Sequence, residues 1–314
     1  MKKVALGIDI GGTNCLIGLV DESGNILHET NLSTKSIPDA DSFFKLLAEE
    51  LEKTGGDYKI IGAGIGAPNA NYYTQTIDHA PNLNWGDSIP FGEMFSKYFD
   101  YPLVLTNDAN AAAMGEKRFG GAKNMKDFIV ITLGTGLGSG IVVDNKIVYG
   151  HSGMAGELGH INVNPKGRFC ACGKRGCLET YLSATGIKRT VYKLLADYTE
   201  DSKLREISYN ELTAKMITEC AQEGDFIAIK AFEYTGKMLG QKLADTVLHT
   251  SPEAIFLFGG LVRAGEHLLV PTLKHMEKKM MDAFKGTVKV LPSELLNKNA
   301  AVLGAAALAW DEVK

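Results

Sequence analysis

The chain has 314 residues, of which 45% are hydrophobic and 22% charged, long and apolar enough to build two compact lobes with sizeable cores. Its 33 basic and 37 acidic residues leave a formal charge of -4 with no block of one sign, which excludes the electrostatic footprint of a nucleic-acid or polyanion binder. Five cysteines, three of them crowded into residues 170–177, argue against a secreted disulfide framework and for a local metal site.

In chain order, MKK precedes an apolar run that Asp9 and two glycines interrupt at once. No stretch approaches a membrane span, so no membrane partner is expected and a cytoplasmic location is. VALGIDI, a turn at Gly11 and Gly12, CLIGLVD, ESGN and ILHET predict strand, tight turn, strand, hairpin, strand. Phe43, Phe44, Leu46, Leu47 and Leu51 recur at helical spacing and predict a helix from Asp41 to Lys53. KIIGAGIGAP reads as a buried strand ending in a loop. PLVLTND reads as a short strand delivering Asn107 and Asp108, and ANAAAMGEKRFGG as a helix stopped by its glycines. FIVITL, a glycine stretch, GIVVD and IVYG then repeat the order of the opening segment about 120 residues later, and a duplicated lobe is the simplest account. Each lobe would offer one glycine loop to the other. Residues 178–249 read mostly as helices, Ile227 to Leu248 being the longest. AIFLFGG is a further strand ending in glycines, and KNAAVLGAAALAW a closing helix able to pack on the first lobe. Strands mixed with helices give an α/β class.

Two glycine loops, DIGGT at residues 9–13 and LGTGLGSG at 133–140, stand out. Glycine tolerates left-handed backbone and lets N–H groups approach a ligand, so both could cradle phosphate; the alternative is hairpin turns and close strand contacts. Ser139 and the strand after it break the dinucleotide fingerprint. Gly62, Gly64 and Ala67 match its loose form but lead into Pro68 and Asn69 with no helical periodicity. There is no Walker-type loop. Asp9 could hold magnesium directly or through water while Thr13 meets phosphate, or Asp9 could be a turn-forming residue.

His160, Cys170, Cys172 and Cys177 offer one imidazole and three thiolates, a set that suits a structural tetrahedral zinc, with Gly173 and Gly176 permitting the bend between them; reduced, unliganded cysteines are the other reading. Lys174 and Arg175 beside the cluster do not make a nucleic-acid module, because no recognition helix accompanies them. Cys15 and Cys220 read as buried or incidental thiols. Asp108 could take the proton from an attacking hydroxyl and Asn107 hold neighbouring hydroxyls, or Asp108 could simply cap the following helix. Glu157, His160 and Glu179 could supply the paired donors and acceptors that a polyol needs, with His160 using one ring nitrogen for zinc and the other for sugar.

Taken together, DIGGT (9–13), NDANA (107–111), LGTGLGSG (133–140), ELGH (157–160), CACGKRGCLE (170–179) and LFGG (257–260) resemble, in order and over nearly the whole chain, the ROK family of repressors, open reading frames and kinases. The resemblance implies a two-lobed actin-like ATPase (ribonuclease H-like) fold with a zinc-binding loop. The small lobe would span residues 1–118, joined by a closing helix at 300–314, and the large lobe residues 119–299 would carry the zinc loop and a homodimer surface. It implies an ATP-dependent hexose kinase with Asp108 as catalytic base. Asp9, Gly11, Gly12, Thr13, Gly134, Thr135 and Gly136 would bind the ATP phosphates and magnesium, with Gly259 and Gly260 near the adenosine. Gly66, Asn82, Asn107, Glu157, His160 and Glu179 would face the sugar, and His160, Cys170, Cys172 and Cys177 would bind zinc. Glucose leads over fructose, mannose, N-acetylmannosamine and N-acetylglucosamine by family frequency, and a non-catalytic sugar sensor is the alternative. Asn69 stands where relatives often carry glycine, so the loop beside the sugar is expected to differ in shape. With the phosphate loop starting at residue 9, no DNA-binding domain is expected.

Overall fold

A computed structural model describes residues 1–80 and 83–312. The chain divides into two compact units. One comprises Met1–Met125, Lys146–Ala155 and the segment beginning at Glu294; the other comprises Lys126–Asn145 and Gly156–Ser293.

The first unit is organised by a five-stranded sheet in the spatial order Ile26–Leu32, Cys15–Val20, Lys2–Ile10, Tyr58–Gly66, Leu103–Thr106. The first three strands pair antiparallel, as the tight turn and hairpin in the sequence require, and the last three run parallel. The helix Ala40–Glu52 is capped by Asp39, whose side chain accepts from the Ser42 N–H at 2.7 Å. It buries Phe43, Phe44 and Leu47. Phe44 packs 4.7 Å from Phe91 and Phe43 5.3 Å from Trp85, centroid to centroid, so this side of the sheet is filled largely by aromatic rings.

Helix Ala300–Glu312 packs on the same sheet, and three glycines explain how. Gly18, Gly7 and Gly64 lie side by side on adjacent strands. A Cβ at Gly64 would stand 1.8 Å from the Ala305 carbonyl oxygen, one at Gly7 2.4 Å from that of Val302, and one at Gly18 2.5 Å from the Val302 side chain. The row is a trough in which helix backbone touches sheet backbone. Because the blocking atom at Gly64 is main chain and cannot rotate away, Gly64→Ala is expected to cost about 3 kcal/mol, read as a lower denaturation midpoint; an unchanged midpoint would contradict this packing. Helix Asp108–Phe119 meets the same closing helix where Gly115 faces Gly304.

The second unit carries the strands Leu137–Val143, Phe128–Leu133, Ala254–Phe258 and Lys289–Pro292 as spatial neighbours in that order, the first pair antiparallel and the others parallel. A hairpin joined to parallel partners is the plan of the first sheet again, as the sequence echo suggested. Helices Ala184–Asp197, Ala214–Gln222, Phe226–Thr250 and Glu266–Lys279 complete the unit. The last two lie against each other through Gly236 and Gly240, where a Cβ would approach Pro271 and the Thr272 carbonyl. Among the described residues no helix is long and apolar enough to cross a membrane.

Candidate functional site

In open α/β sheets ligands sit beyond the carboxyl ends of parallel strands, where loops can offer side chains and N–H groups without breaking the ladder. In the first unit three adjacent parallel strands deliver Asp9, Gly66 and the pair Asn107–Asp108 to one edge, since Asp9 is in register with Gly66 and Gly66 with Thr106. Gly66 is closely surrounded: a Cβ would fall a tight 3.2 Å from Ala111 Cβ and in ordinary contact with Asp108 Cα at 3.5 Å and Asp9 Oδ1 at 3.6 Å.

Asn107, not Asp108, caps the following helix. Its Oδ1 accepts from the Asn110 N–H at 2.7 Å, and Asp108 is the first helical residue. The Asp108 side chain is thereby released from the structural duty the sequence allowed it. It is solvent-exposed, accepts only a local bond from the Ala109 N–H at 2.8 Å, and is crowded by enough protein that desolvation pushes its carboxyl above the ordinary range. Burial likewise pushes Asp9 up to about 7, and the nearby Asp108 charge adds to the rise. Two carboxyls whose charges oppose each other both hold a proton more tightly than an isolated carboxyl and favour an added cation.

Asp9 carries a pH consequence. A carboxyl whose folded pKa is raised favours the folded state only while protonated, so its contribution is whole below the usual carboxylate range and is lost as pH climbs through about 7. In metal-free, nucleotide-free buffer, stability is expected to fall by about 1 kcal/mol or more between pH 5 and 8. Asp9→Asn should remove that fall, and a variant whose pH curve overlays the wild type would refute the assignment.

The loop after Asp9 is held from a distance. Thr34 Oγ1 donates to the Gly11 carbonyl at 2.9 Å, the Thr34 N–H donates to the Thr13 carbonyl at 3.0 Å, and the Gly11 N–H closes on the Asn14 carbonyl at 2.9 Å. Gly11 is needed for space, since a Cβ would stand 3.0 Å from that same Asn14 oxygen; its φ lies outside the left-handed region.

The second unit repeats the design. Phe128–Leu133 and Ala254–Phe258 are parallel neighbours, and their carboxyl ends release Gly134–Gly136 and Gly259–Gly260. Gly259 has φ +106°, and a Cβ there would meet the Leu133 carbonyl at 2.4 Å, so the two loops approach through bare backbone. Gly134 and Gly260 face open space. Beside Gly260, residues Thr218, Glu219, Gln222 and Arg263 help line a cavity of about 590 Å³, in the range of small-molecule sites.

Glu179 accepts from the Leu137 N–H at 3.0 Å through Oε2, and its Oε1 lies 3.8 Å from Cys170 Sγ. His160 turns Nδ1 toward Cys170 Sγ, 3.7 Å away, and Nε2 toward Glu157, 3.9 Å away. Cys172 and Cys177 have their sulfurs 3.6 Å apart, too far for a disulfide. The four ligand atoms of His160, Cys170, Cys172 and Cys177 all lie within 4.8 Å of one another, close to the edges of roughly 3.5–3.8 Å of a tetrahedron built on zinc bond lengths. The donor set and its spacing fit a metal ion. Gly173 and Gly176, at φ +84° and +76°, make the bend.

Several supporting residues carry no local sequence signal. Ser139, which only broke a motif in the sequence, donates through Oγ to the Gly156 carbonyl and accepts from the Leu158 N–H at 3.3 Å, steadying the segment between Glu157 and His160. Arg168 donates to the carbonyls of Thr180 and Gly186, both at 2.8 Å, and to Thr190 Oγ1 at 3.0 Å, bolting the metal loop to the next helices. Asn82 lies outside the described residues, as do the last two positions of the closing segment 300–314.

A family model described as ROK family matches residues 5–312. The chain belongs to the ROK family. This ROK chain is 36% identical over 313 residues to a glucokinase of Streptomyces coelicolor, covering 98% of itself and 97% of that protein. It is 30% identical over 309 residues to a xylose repressor of Caldicellulosiruptor bescii, covering 96% of itself and 77% of the repressor. Its α/β fold, the actin-like ATPase fold of ROK kinases, matches that of a ROK family glucokinase from Streptomyces griseus in complex with glucose and AMPPNP, with a TM-score of 0.83, 34% identity, and coverage of 98% of this chain and 99% of that one.

Proposed function

We propose that the protein is an ATP-dependent hexose kinase, with glucose as its preferred acceptor, that moves the γ-phosphoryl group to the sugar 6-hydroxyl. The observation that carries this reading is Asp108: a carboxyl relieved of capping by Asn107, presented at a strand edge beside Asp9, and made a stronger proton acceptor by the desolvation that raises it above the ordinary carboxylate range. Asp108 takes the hydroxyl proton as the oxygen–phosphorus bond forms and the bond from the γ-phosphorus to the bridging oxygen breaks, and ADP leaves. Gly66 borders the sugar through its backbone at the strand end beside Asp108, and the Asn107 amide, whose Oδ1 is committed to the cap, offers N–H donors to a hydroxyl. Asn82, Glu157, His160 and Glu179 complete the sugar contacts, His160 using the ring nitrogen that faces Glu157.

The loops at Gly11–Thr13 and Gly134–Gly136 bind the ATP phosphates, and the cavity beside Gly260 takes the adenosine. Asp9, whose carboxyl gains from a nearby cation, is suited to hold hydrated magnesium, which when bound neutralises phosphate charge. Zinc on His160, Cys170, Cys172 and Cys177 is structural, a closed set with no position left for substrate. Exposed Leu248, Val270, Leu273 and Met281 in the second unit support a homodimer formed through that unit. A cytoplasmic location fits a consumer of ATP.

The glucokinases among the relatives favour glucose, and the repressors favour a sugar-sensing alternative; Asp9 and Asp108, which sensing does not need, favour catalysis. A coupled ADP-release assay across glucose, fructose, mannose and the N-acetylated hexosamines should give hexose-dependent turnover with the highest kcat/KM for glucose. No hexose-dependent ADP release would reject the kinase.

A further inference from the structure

We propose that Glu179 couples the sugar to the nucleotide: by gripping the 134–137 loop it makes each ligand tighten the other. The inference rests on the reading that Glu179 meets the sugar and the loop meets phosphate.

The loop is pinned at both ends by one short segment. At its C-terminal end the Leu137 N–H donates to Glu179 Oε2 at 3.0 Å; at its N-terminal end the Gly134 carbonyl accepts from the Ala184 N–H at 2.8 Å. Between these points the Gly134 N–H turns onto the Gly136 carbonyl at 3.0 Å, closing a tight bend. Glycine at 136 leaves that carboxyl in place: a Cβ there would stand 2.6 Å from Glu179 Oε2 and displace it. The grip is a side-chain carboxyl oxygen on a backbone donor, so it holds the loop whatever the neighbouring side chains are. A carboxylate has a second oxygen, and Oε1 takes no part in the grip on Leu137.

Oε1 meets only the long 3.8 Å contact from Cys170 Sγ, and a sugar hydroxyl donating to it would fix the Glu179 rotamer from the end opposite the grip. The loop would then meet the triphosphate already ordered, with part of its entropy cost removed. Linkage requires the reverse to hold equally: nucleotide on the loop orients the carboxylate for the sugar. Segment 178–186 is itself anchored by Arg168 through the Thr180 and Gly186 carbonyls, so motion at Glu179 passes to the loop rather than dissipating in its own backbone.

The test is calorimetric titration of glucose and of magnesium-AMPPNP, each alone and with the other saturating. In the wild type, glucose is expected to tighten the nucleotide about fivefold or more, and the nucleotide to tighten glucose by the same factor. Replacing Leu137 with its α-hydroxy acid turns the donating N–H into an ester oxygen while leaving Glu179 intact. That protein should bind glucose alone within about twofold of the wild type and show a coupling factor near one. Gly136→Ala pushes Oε2 aside and, lying in the phosphate loop, is read by the coupling factor alone and not by either affinity; that factor should fall to near one, which covers the case in which the ester chain does not fold. Full coupling in either folded variant overturns the proposal, as does a wild type that binds both ligands independently. A wild type that binds no hexose at all rejects the underlying sugar site instead, and this inference with it.

Discussion

Replacing Asp108 with asparagine is expected to lower kcat by about 10²–10⁴-fold, the usual contribution of a general base, while the protein keeps its fold. The fold survives because Asn107 supplies the cap, Asp108 makes only the local bond to the Ala109 N–H, and an amide oxygen can accept that bond equally well. Stability should if anything rise, since the substitution removes the charge that helps lift Asp9 to about 7. KM for the hexose should change far less than kcat, because the lost interaction belongs to proton transfer rather than to ground-state binding. The wild-type rate should fall on the acid side at a pH above the ordinary carboxylate range, in keeping with the raised Asp108 pKa, and the asparagine variant should lack that limb. Near-normal turnover in a folded variant would remove Asp108 from the mechanism.

The second large effect concerns the metal loop. Cys177→Ser is expected to abolish metal retention and destabilise the second unit by several kcal/mol, less than the roughly 10–16 kcal/mol that zinc supplies to peptide-sized fingers because this unit has a core of its own. Cys177 is buried, and its backbone anchors the next helical turn: the Thr180 N–H donates to its carbonyl at 3.0 Å, and Glu179 lies two residues on. Loss of the ion should therefore lower hexose affinity as well as the melting temperature. Native protein should carry close to one equivalent of zinc, and less than about half would count against a structural ion.

The strand and helix order was legible because the apolar runs are separated by turn residues with distinct chemistry. What gave the fold away most clearly was the repeated hairpin, whose two copies have the same strand plan. Glycine proved harder to read. Residue type alone gives loop glycines the role of left-handed turns, yet Gly11, Gly134 and Gly136 stand outside that region, and Gly11 and Gly136 are needed for space. Nothing local pointed to the packing role of Gly7, Gly18 and Gly64, since the nearest atoms that exclude a side chain there belong to residues 302–306. In the candidate site, motif spacing found the cysteines and carboxylates. It offered Asp108 as the helix cap, and the structure gives that place to Asn107, because both residue types cap helices equally well. Thr34 and Arg168 were invisible because their partners are set by tertiary contact. Asn69, expected to reshape its loop, keeps a backbone glycine would favour: its φ is 53°, which asparagine tolerates, and its Nδ2 donates to the His79 carbonyl at 3.0 Å.

The trough of glycines in the first sheet also dictates a timetable for biosynthesis. Its strands leave the ribosome early, but the element that covers the stripe of bare backbone is Ala300–Glu312. At about 5–20 residues per second, the more than two hundred residues between Gly64 and that helix take on the order of ten to fifty seconds to translate. The whole of the other unit is made in that interval, so the half synthesised first is the half completed last.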